Sequence, residues 1–381
     1  MKLLYITGMY PSERNPQYCV FIHNQVKALI KNGVDITVVN ITVNGASLKA
    51  VYDGVEIVNL KYKDRTRTIF YPFIAINLLR ELKKFVSLQE YDIVYVVHSS
   101  ANILYFGRFL SRRCKKPLVV HYRGFNIFNE YNETKTKGLF LNQEKVKRKV
   151  VLSSDLSIGV SKKVIDVIKK EYPQCPTAVV YNGVDIQSFN EKIVRNDGVF
   201  KIICVANLIP IKGHKFLFEA VNNIHKKYPD IKVKLEVVGA GFYEKVLKNF
   251  VVNNGITDVE FTGVLSHDEV AMHMQRSDIL VLPSVYEACA NVCFEAMASH
   301  LPVVIFSGQG TEEIMENGIS GMIAEKGNVS DLQNRIERLM FDDKLRESVG
   351  ENAFNHIKQY TWDKSAKTII EILNKYCLQN L

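Results

Sequence analysis

The stretch DILVLPSVYEACANVCFEAMASHLPVVIF, residues 278–306, decides the fold. It opens on an apolar run ending at Pro283, passes through a loop into VCFEAMASH, and closes on a second apolar run, PVVIF. Apolar, β-branched runs on either side of a helical segment make one strand–helix–strand unit, with parallel strands covered on both faces. Within it Glu287 and Glu295 stand eight positions apart among small or apolar side chains. Burying an unpaired carboxylate is costly, so both need partners. PSVYE reads as the loop leaving the first strand and carries Glu287. Asn291 is expected to cap the helix, with Glu295 in its first turn. The amides near Ala290, Asn291 and Val292 then form a helix start suited to an anion, with one carboxylate on each side. Cys289 and Cys293 read as small packing residues, because no histidine or carboxylate partner stands at metal-ligand spacing.

Working outward, the same alternation fills the chain. KLLYIT, DITVVNI, VEIVNL, DIVYVVH, PLVVHY and LSIGV are strand-like in the first half, with helical stretches such as FIHNQVKALIKNG between several of them. FKIICVAN, KVKLEVVG, DVEFTG, DILVLPS and PVVIF repeat the scheme in the second. The class is α/β: two Rossmann-like domains with parallel sheets, residues 1–190 and 191–381, facing a central cleft. The break is expected in FNEKIVRNDGVF, residues 189–200, which is polar and glycine-containing. TWDKSAKTIIEILNKYCLQ reads as one or two further helices, free to pack back on the first domain.

Composition bounds the function. Of 381 residues, 47% are hydrophobic and 23% charged, the balance of a soluble globular protein. No apolar run reaches the roughly 18 residues that a membrane span needs, and the opening MKLLYITGMYPSERN reads as a buried strand rather than a secretory signal. Seven scattered cysteines without a CxxC pair fit a reducing cytoplasm. The net charge of +9 is uneven: residues 1–190 carry 28 Lys and Arg against 15 Asp and Glu, while the remainder carries 21 against 25. Such asymmetry points to an anionic partner for the first half. Two basic stretches, residues 61–85 and 135–150, mix cations with apolar side chains, as helices resting on anionic lipid do. A solvated helix face has equal weight. No nucleic-acid-binding motif accompanies the charge.

The loops that leave parallel strands are the natural binding sites. After the first strand only Gly8 is present, where a dinucleotide-binding loop needs three glycines, which argues against a nicotinamide enzyme. After FKIICVAN come Asn207, Lys212 and Gly213; lysine in a glycine-bearing loop that opens a helix can meet a phosphate. Glycines 239 and 241 either approach a ligand closely or merely turn the chain.

These segments together resemble the retaining glycosyltransferases of family 4. PSVYEACANVCFEAMASHLPVV is similar to the family's E-x7-E segment, VANLIPIKGHKFLFEA to its strand–loop–KG segment, and VVYNGVDIQSF, residues 179–189, to its NGVD signature. VVGAGFYEKVLKNFVVNNGITDVEFTGVLSHDEV is similar to its G-x-G helix and F-x-G strand. YPSERNPQYCVFIHNQVKAL resembles the entry loop and helix of bacterial members that build capsular, O-antigen or teichuronic-type polysaccharides. The resemblance implies the GT-B fold and no metal or cofactor. It implies that Glu287 meets the donor hexose with amides from Cys289 to Val292, and that Glu295 holds the ribose. Lys212 would neutralise the diphosphate, and the backbone at Val264 would meet the base. His121 would lie at the reacting centre, with Gly8 and Arg123 on the acceptor side. Asn207 stands where most members have an arginine, Ala288 and Ala290 replace usual glycines, and Cys19 replaces another. Glu313 in TEE is the match to a glutamate that usually follows proline.

The expected activity is transfer of a hexose from a nucleotide-sugar, UDP before GDP, to a hydroxyl of a lipid-linked cell-surface glycan. The enzyme would sit in the cytoplasm, peripheral on the inner face of the membrane. An epimerase of the same fold and a catalytically silent sugar-nucleotide-binding protein are the rival readings.

Overall fold

The computed structural model describes all residues except 14, 17, 44, 64–67, 98–99, 125–139, 190–192, 194–196 and 379–381, together with the side chains of 140–142. It divides into two compact units: Met1–Asn182 with Trp362–Leu381, and Gly183–Thr361.

The first unit runs β1 (Lys2–Thr7), α1 (Val20–Lys31), β2 (Asp35–Thr42), β3 (Leu48–Tyr52), β4 (Val55–Lys61), α2 (Tyr71–Leu82), β5 (Ile93–Val97), α3 (Ala101–Cys114), β6 (Leu118–Tyr122), α4 (Phe140–Ser153), β7 (Leu156–Gly159), α5 (Lys162–Glu171) and β8 (Thr177–Val179). The sheet order is β3-β4-β2-β1-β5-β6-β7-β8. Strands β5, β6 and β7 are buried at every position, which is why they read as largely apolar runs, interrupted only by His121 and Ser157. The helices show the complementary pattern. In α5, Val164, Ile165 and Ile168 face the core while lysines occupy both ends, and Ser161 caps the start by accepting from Val164 N at 3.3 Å. Each such buried aliphatic side chain stabilises the unit by roughly 2 kcal/mol.

One edge departs from the expected all-parallel sheet. β3 pairs antiparallel with β4, and the reversal is made by Asp53 and Gly54, both at positive φ. This is the two-residue turn that Asp-Gly favours. A second local feature sits at the start of α1, where Cys19 adopts a left-handed backbone, φ 52° and ψ 38°. A glycine takes that conformation without the Cβ penalty, so the exchange of glycine for cysteine costs about 1 kcal/mol.

The second unit runs β9 (Phe200–Val205), α6 (His214–Lys227), β10 (Val233–Val238), α7 (Glu244–Asn253), β11 (Val259–Gly263), α8 (His267–Gln275), β12 (Ile279–Leu282), α9 (Asn291–Ala298), β13 (Val303–Phe306), β14 (Met322–Ala324), α10 (Val329–Phe341) and α11 (Asp343–Ile357). Its six strands are parallel, in the order β11-β10-β9-β12-β13-β14. The chain builds outward from β9, then returns to lay β12 on the other side of it. Ile202, Cys204, Leu235, Val281 and Phe306 of the sheet and Leu217, Phe218 and Leu339 of its helices are wholly buried in the core.

The units change over after Asn182, not at the expected 190/191 boundary. Val184 bridges to Thr361, its amide bonds to Tyr360 O at 3.0 Å, and Phe189 packs edge-on against His267 at 5.1 Å. These contacts tie the segment to the second unit. The final helix, α12 (Trp362–Leu373), belongs to the first. Ala366, Ile369 and Leu373 enter that core, Asp363 accepts from Asn32 Nδ2 at 2.9 Å, and Ser365 donates to Tyr181 O at 2.9 Å.

Candidate functional site

In the second unit the decisive neighbours are β9 and β12, paired through Ile202–Ile279 and Ile203–Leu280. Strand order reverses between them, so the loops from their carboxyl ends diverge and leave a crevice there. The β9 loop carries exposed Asn207 and then a short 3-10 turn, Pro210–Lys212. Gly213 follows at φ 70° and starts α6; a Cβ there would overlap the Pro283 carbonyl of the β12 loop. Val285 N donates to Ile211 O at 2.8 Å, stitching the two loops together.

That stitching sets the lysine against the glutamate. Lys212 Nζ donates to Glu287 Oε2, and both side chains are mostly buried, 19% and 15% exposed. Glu287 O also accepts from Gly310 N at 2.9 Å, which fixes its backbone. Glu295 is held elsewhere, with Oε1 3.3 Å from His267 Nε2. The carboxylate raises the His267 pKa, so the ring holds its proton to higher pH than an ordinary imidazole.

Two local expectations are corrected. The cap of α9 is Ala290, with Asn291 already helical, and Glu295 therefore lies beyond the first turn. Of the four amides expected near a donor, that of Ala290 donates to Thr311 Oγ1 at 3.0 Å. Cys289 and Ala290 are buried, Asn291 and Val292 half-buried, and Val264, just past β11, is 69% exposed. Glu313 lies in the short turn Gly310–Ile314. At glycines 239 and 241 packing allows no side chain: a Cβ on either would strike the backbone of the β9 loop, at Ala206 or Leu208. The loops interlock, with Leu208 N to Ala240 O and Tyr243 N to Leu208 O, both 3.0 Å.

Around this centre lie residues that sequence reading passed over. His214 is 1% exposed and neither ring nitrogen finds a partner. Ser284 and Gln309 are fully buried; Gln309 Nε2 donates to Ser284 O, while Ser284 Oγ and Gln309 Oε1 are unpartnered. Burial, then the Lys212 charge, pushes the His214 pKa down to about 4. In the unfolded chain it titrates near 6.5. The folded state thus excludes a proton that the unfolded state binds, and stability falls as pH drops from about 6.5 to 4. The expected loss from this group is about 3 kcal/mol. Melts of the wild type and His214→Phe across that range check it: the variant should decline less steeply, and equal slopes would refute the assignment.

In the first unit the expected groups lie at the carboxyl ends of β1 and β6, the two strands that flank β5. Gly8 follows β1, while His121 and Arg123 end β6. His121 is fully buried, with Nδ1 2.7 Å from Tyr95 Oη and Nε2 without a partner. Burial and the nearby Arg123 charge hold its pKa well below the ordinary value, so the ring is neutral. Arg123 lies over the Phe21 ring at 5.4 Å and donates to Asn182 Oδ1 at 2.5 Å.

Two doubly wound units, each with its polar groups at the strand ends, define the GT-B class of glycosyltransferases. Residues 185–356 match the family model described as glycosyl transferases group 1, and residues 20–188 that of glycosyltransferase family 4. The chain belongs to this glycosyltransferase family. It is 29% identical to an uncharacterized glycosyltransferase of Methanocaldococcus jannaschii, over 82% of this chain and 83% of that one. It is 26% identical to the UDP-Gal:alpha-D-GlcNAc-diphosphoundecaprenol alpha-1,3-galactosyltransferase of Escherichia coli, over 77% and 80%. Sucrose-phosphate synthase from Thermosynechococcus elongatus shares the fold with TM-score 0.82 at 15% identity, covering 98% of both chains. Anabaena HepE in complex with UDP-glucose does so with TM-score 0.76 at 19% identity, covering 98% of this chain and 100% of that one.

Proposed function

We propose that this enzyme moves a hexose, with retention and without a metal, from a nucleotide-sugar to a hydroxyl of a lipid-linked cell-surface glycan. UDP is preferred to GDP as the carrier, and the reaction takes place in the cytoplasm at the inner face of the membrane. The observation that carries the reading is the Lys212–Glu287 pair at the point where strand order reverses. A lysine and a carboxylate held together on a crevice suit a ligand with both a diphosphate and sugar hydroxyls. The E. coli relative, whose name gives a UDP-sugar donor and a diphosphoundecaprenol acceptor, supports the carrier and the lipid.

Each group then has a role. An ammonium has three donors, and the contact with Glu287 uses one, so Lys212 can also meet the diphosphate. Charge develops on that leaving group, and stabilising it there is the main catalytic contribution. Glu287 accepts from hexose hydroxyls and Glu295 from the ribose pair, while the departing phosphate takes the proton of the acceptor hydroxyl. His121, Gly8 and Arg123 keep the roles that the resemblance assigns them, at the reacting centre and on the acceptor side. Asn207, Val264 and the segment from Cys289 to Val292 complete the donor surface.

A thermal-shift screen tests this. At a hundredfold excess over Kd, a UDP-sugar should raise the melting temperature by roughly 5 °C, and Glu295→Ala should abolish that rise. If UDP- or GDP-sugars shift the melt but none is hydrolysed or transferred, the catalytically silent reading replaces this one; no shift with any of them would overturn both.

A further inference from the structure

We propose that the face formed by α2, α3 and α4 docks on an anionic lipid bilayer, with Ile69, Phe73 and Ile76 entering the headgroup region and a band of cations meeting the phosphates. This gives residues to the membrane part of the reading above and is independent of the donor chemistry.

Helix α2 has two opposed sides. Tyr71, Ile74, Ala75, Leu78, Leu79 and Leu82 are buried in the unit. The other side is not the polar surface that water favours. Phe73 is 65% exposed and Ile76 40%, with Ile69 of the preceding turn at 70%. Exposed Arg80, Lys83 and Lys84 continue that side at helical spacing. An apolar end running into a cationic end is the make-up of a helix lying in a membrane interface.

The neighbouring helices extend the cationic part. Tyr71 packs on Tyr105 of α3 at 5.9 Å. Lys83 and Arg113 line one hollow of about 620 Å³, and Arg108, Arg112, Lys149 and Leu152 another of about 440 Å³. The carboxylates of these helices are Glu81 and Glu144, paired at 2.6 Å with Lys84 and Arg148, so the field of the face is positive. Beside Phe73 a cavity of about 870 Å³ has Phe70 and Ile74 on its apolar wall and Lys61, Lys63, Asn77 and the Lys84-paired Glu81 at its polar side. That arrangement suits a phosphate-bearing headgroup with its first methylenes. Apolar tips set among the cations favour a bilayer over a nucleic acid, which offers nothing to an exposed isoleucine.

Co-sedimentation of the full chain with phosphatidylcholine vesicles, with and without phosphatidylglycerol, at low and moderate salt tests the proposal. Binding is expected only with the anionic lipid and should weaken with salt. Changing Lys83, Arg112 and Arg113 together to Gln should lower partitioning on the order of a hundredfold, roughly fivefold per cation. Phe73→Ser with Ile76→Ser should lose binding at moderate salt. Both variants should keep the wild-type melting temperature and response to UDP-sugar, which separates docking from misfolding. Absence of vesicle binding, equal binding to both vesicles, or variants that bind like wild type would overturn it. Binding to duplex DNA with none to vesicles would reassign the face. Vesicle binding without any response to nucleotide-sugars would count against the donor reading alone.

Discussion

Replacing Lys212 by alanine is expected to lower turnover of the nucleotide-sugar by two to three orders of magnitude, roughly 3–4 kcal/mol of transition-state stabilisation. The lysine is the cation that the β9 loop places on the crevice, because Asn207 stands where most family members have an arginine. No second side-chain charge in that loop shares its work. The substitution has a separate effect on the fold. Glu287 is 15% exposed and loses its ion-pair partner, which costs about 2 kcal/mol. The two effects can be separated. Glu287→Gln added to Lys212→Ala should recover most of the lost stability, since the uncompensated charge is gone, and none of the turnover. Steady-state rates and melts of the three proteins check this. Wild-type turnover in Lys212→Ala would sink the site assignment, whatever its melting temperature.

Gly213→Ala is expected to be among the most damaging single changes, at about 3 kcal/mol or more and roughly 10 °C in melting temperature. Two costs add. The backbone at φ 70° is left-handed, and a Cβ would meet the Pro283 carbonyl, a main-chain atom that cannot swing aside. Gly255 is the control: its φ is 61°, yet a Cβ there meets nothing within 4 Å. Gly255→Ala should therefore cost only the conformational part, about 1 kcal/mol. Calorimetry on both variants reads the difference. Equal losses would show that the close passage of the β9 and β12 loops is not what requires glycine.

The contrast between those glycines marks what sequence can and cannot convey. The alternation of apolar runs and helices was legible because the central strands β5, β6, β7, β12 and β13 are buried on both faces. Lys212 and Glu287 were legible as candidate groups because both follow strands, but nothing local shows that they pair across 75 positions. The His267 partner of Glu295 was missed for the same reason, since it comes from another helix start. β3 was passed over although Asp53-Gly54 announces a hairpin, because LKAVY is short and half-exposed. The cap at Ala290 has no sequence signature, since it uses no side-chain hydrogen bond. His214 looks like any polar residue opening a helix; only its burial, beside Phe218, sets it apart.

The return of α12 to the first unit has a consequence for biosynthesis. The second unit is an insertion: its whole sequence is translated between the strands of the first unit and the helix whose Ala366, Ile369 and Leu373 close that unit's core. The unit begun first is thus completed last. Until α12 has left the ribosome, the outer surface of α1 stays uncovered while the inserted unit is already able to fold. A nascent chain halted before Trp362 should bind a chaperone through α1, and release should follow when the closing helix arrives.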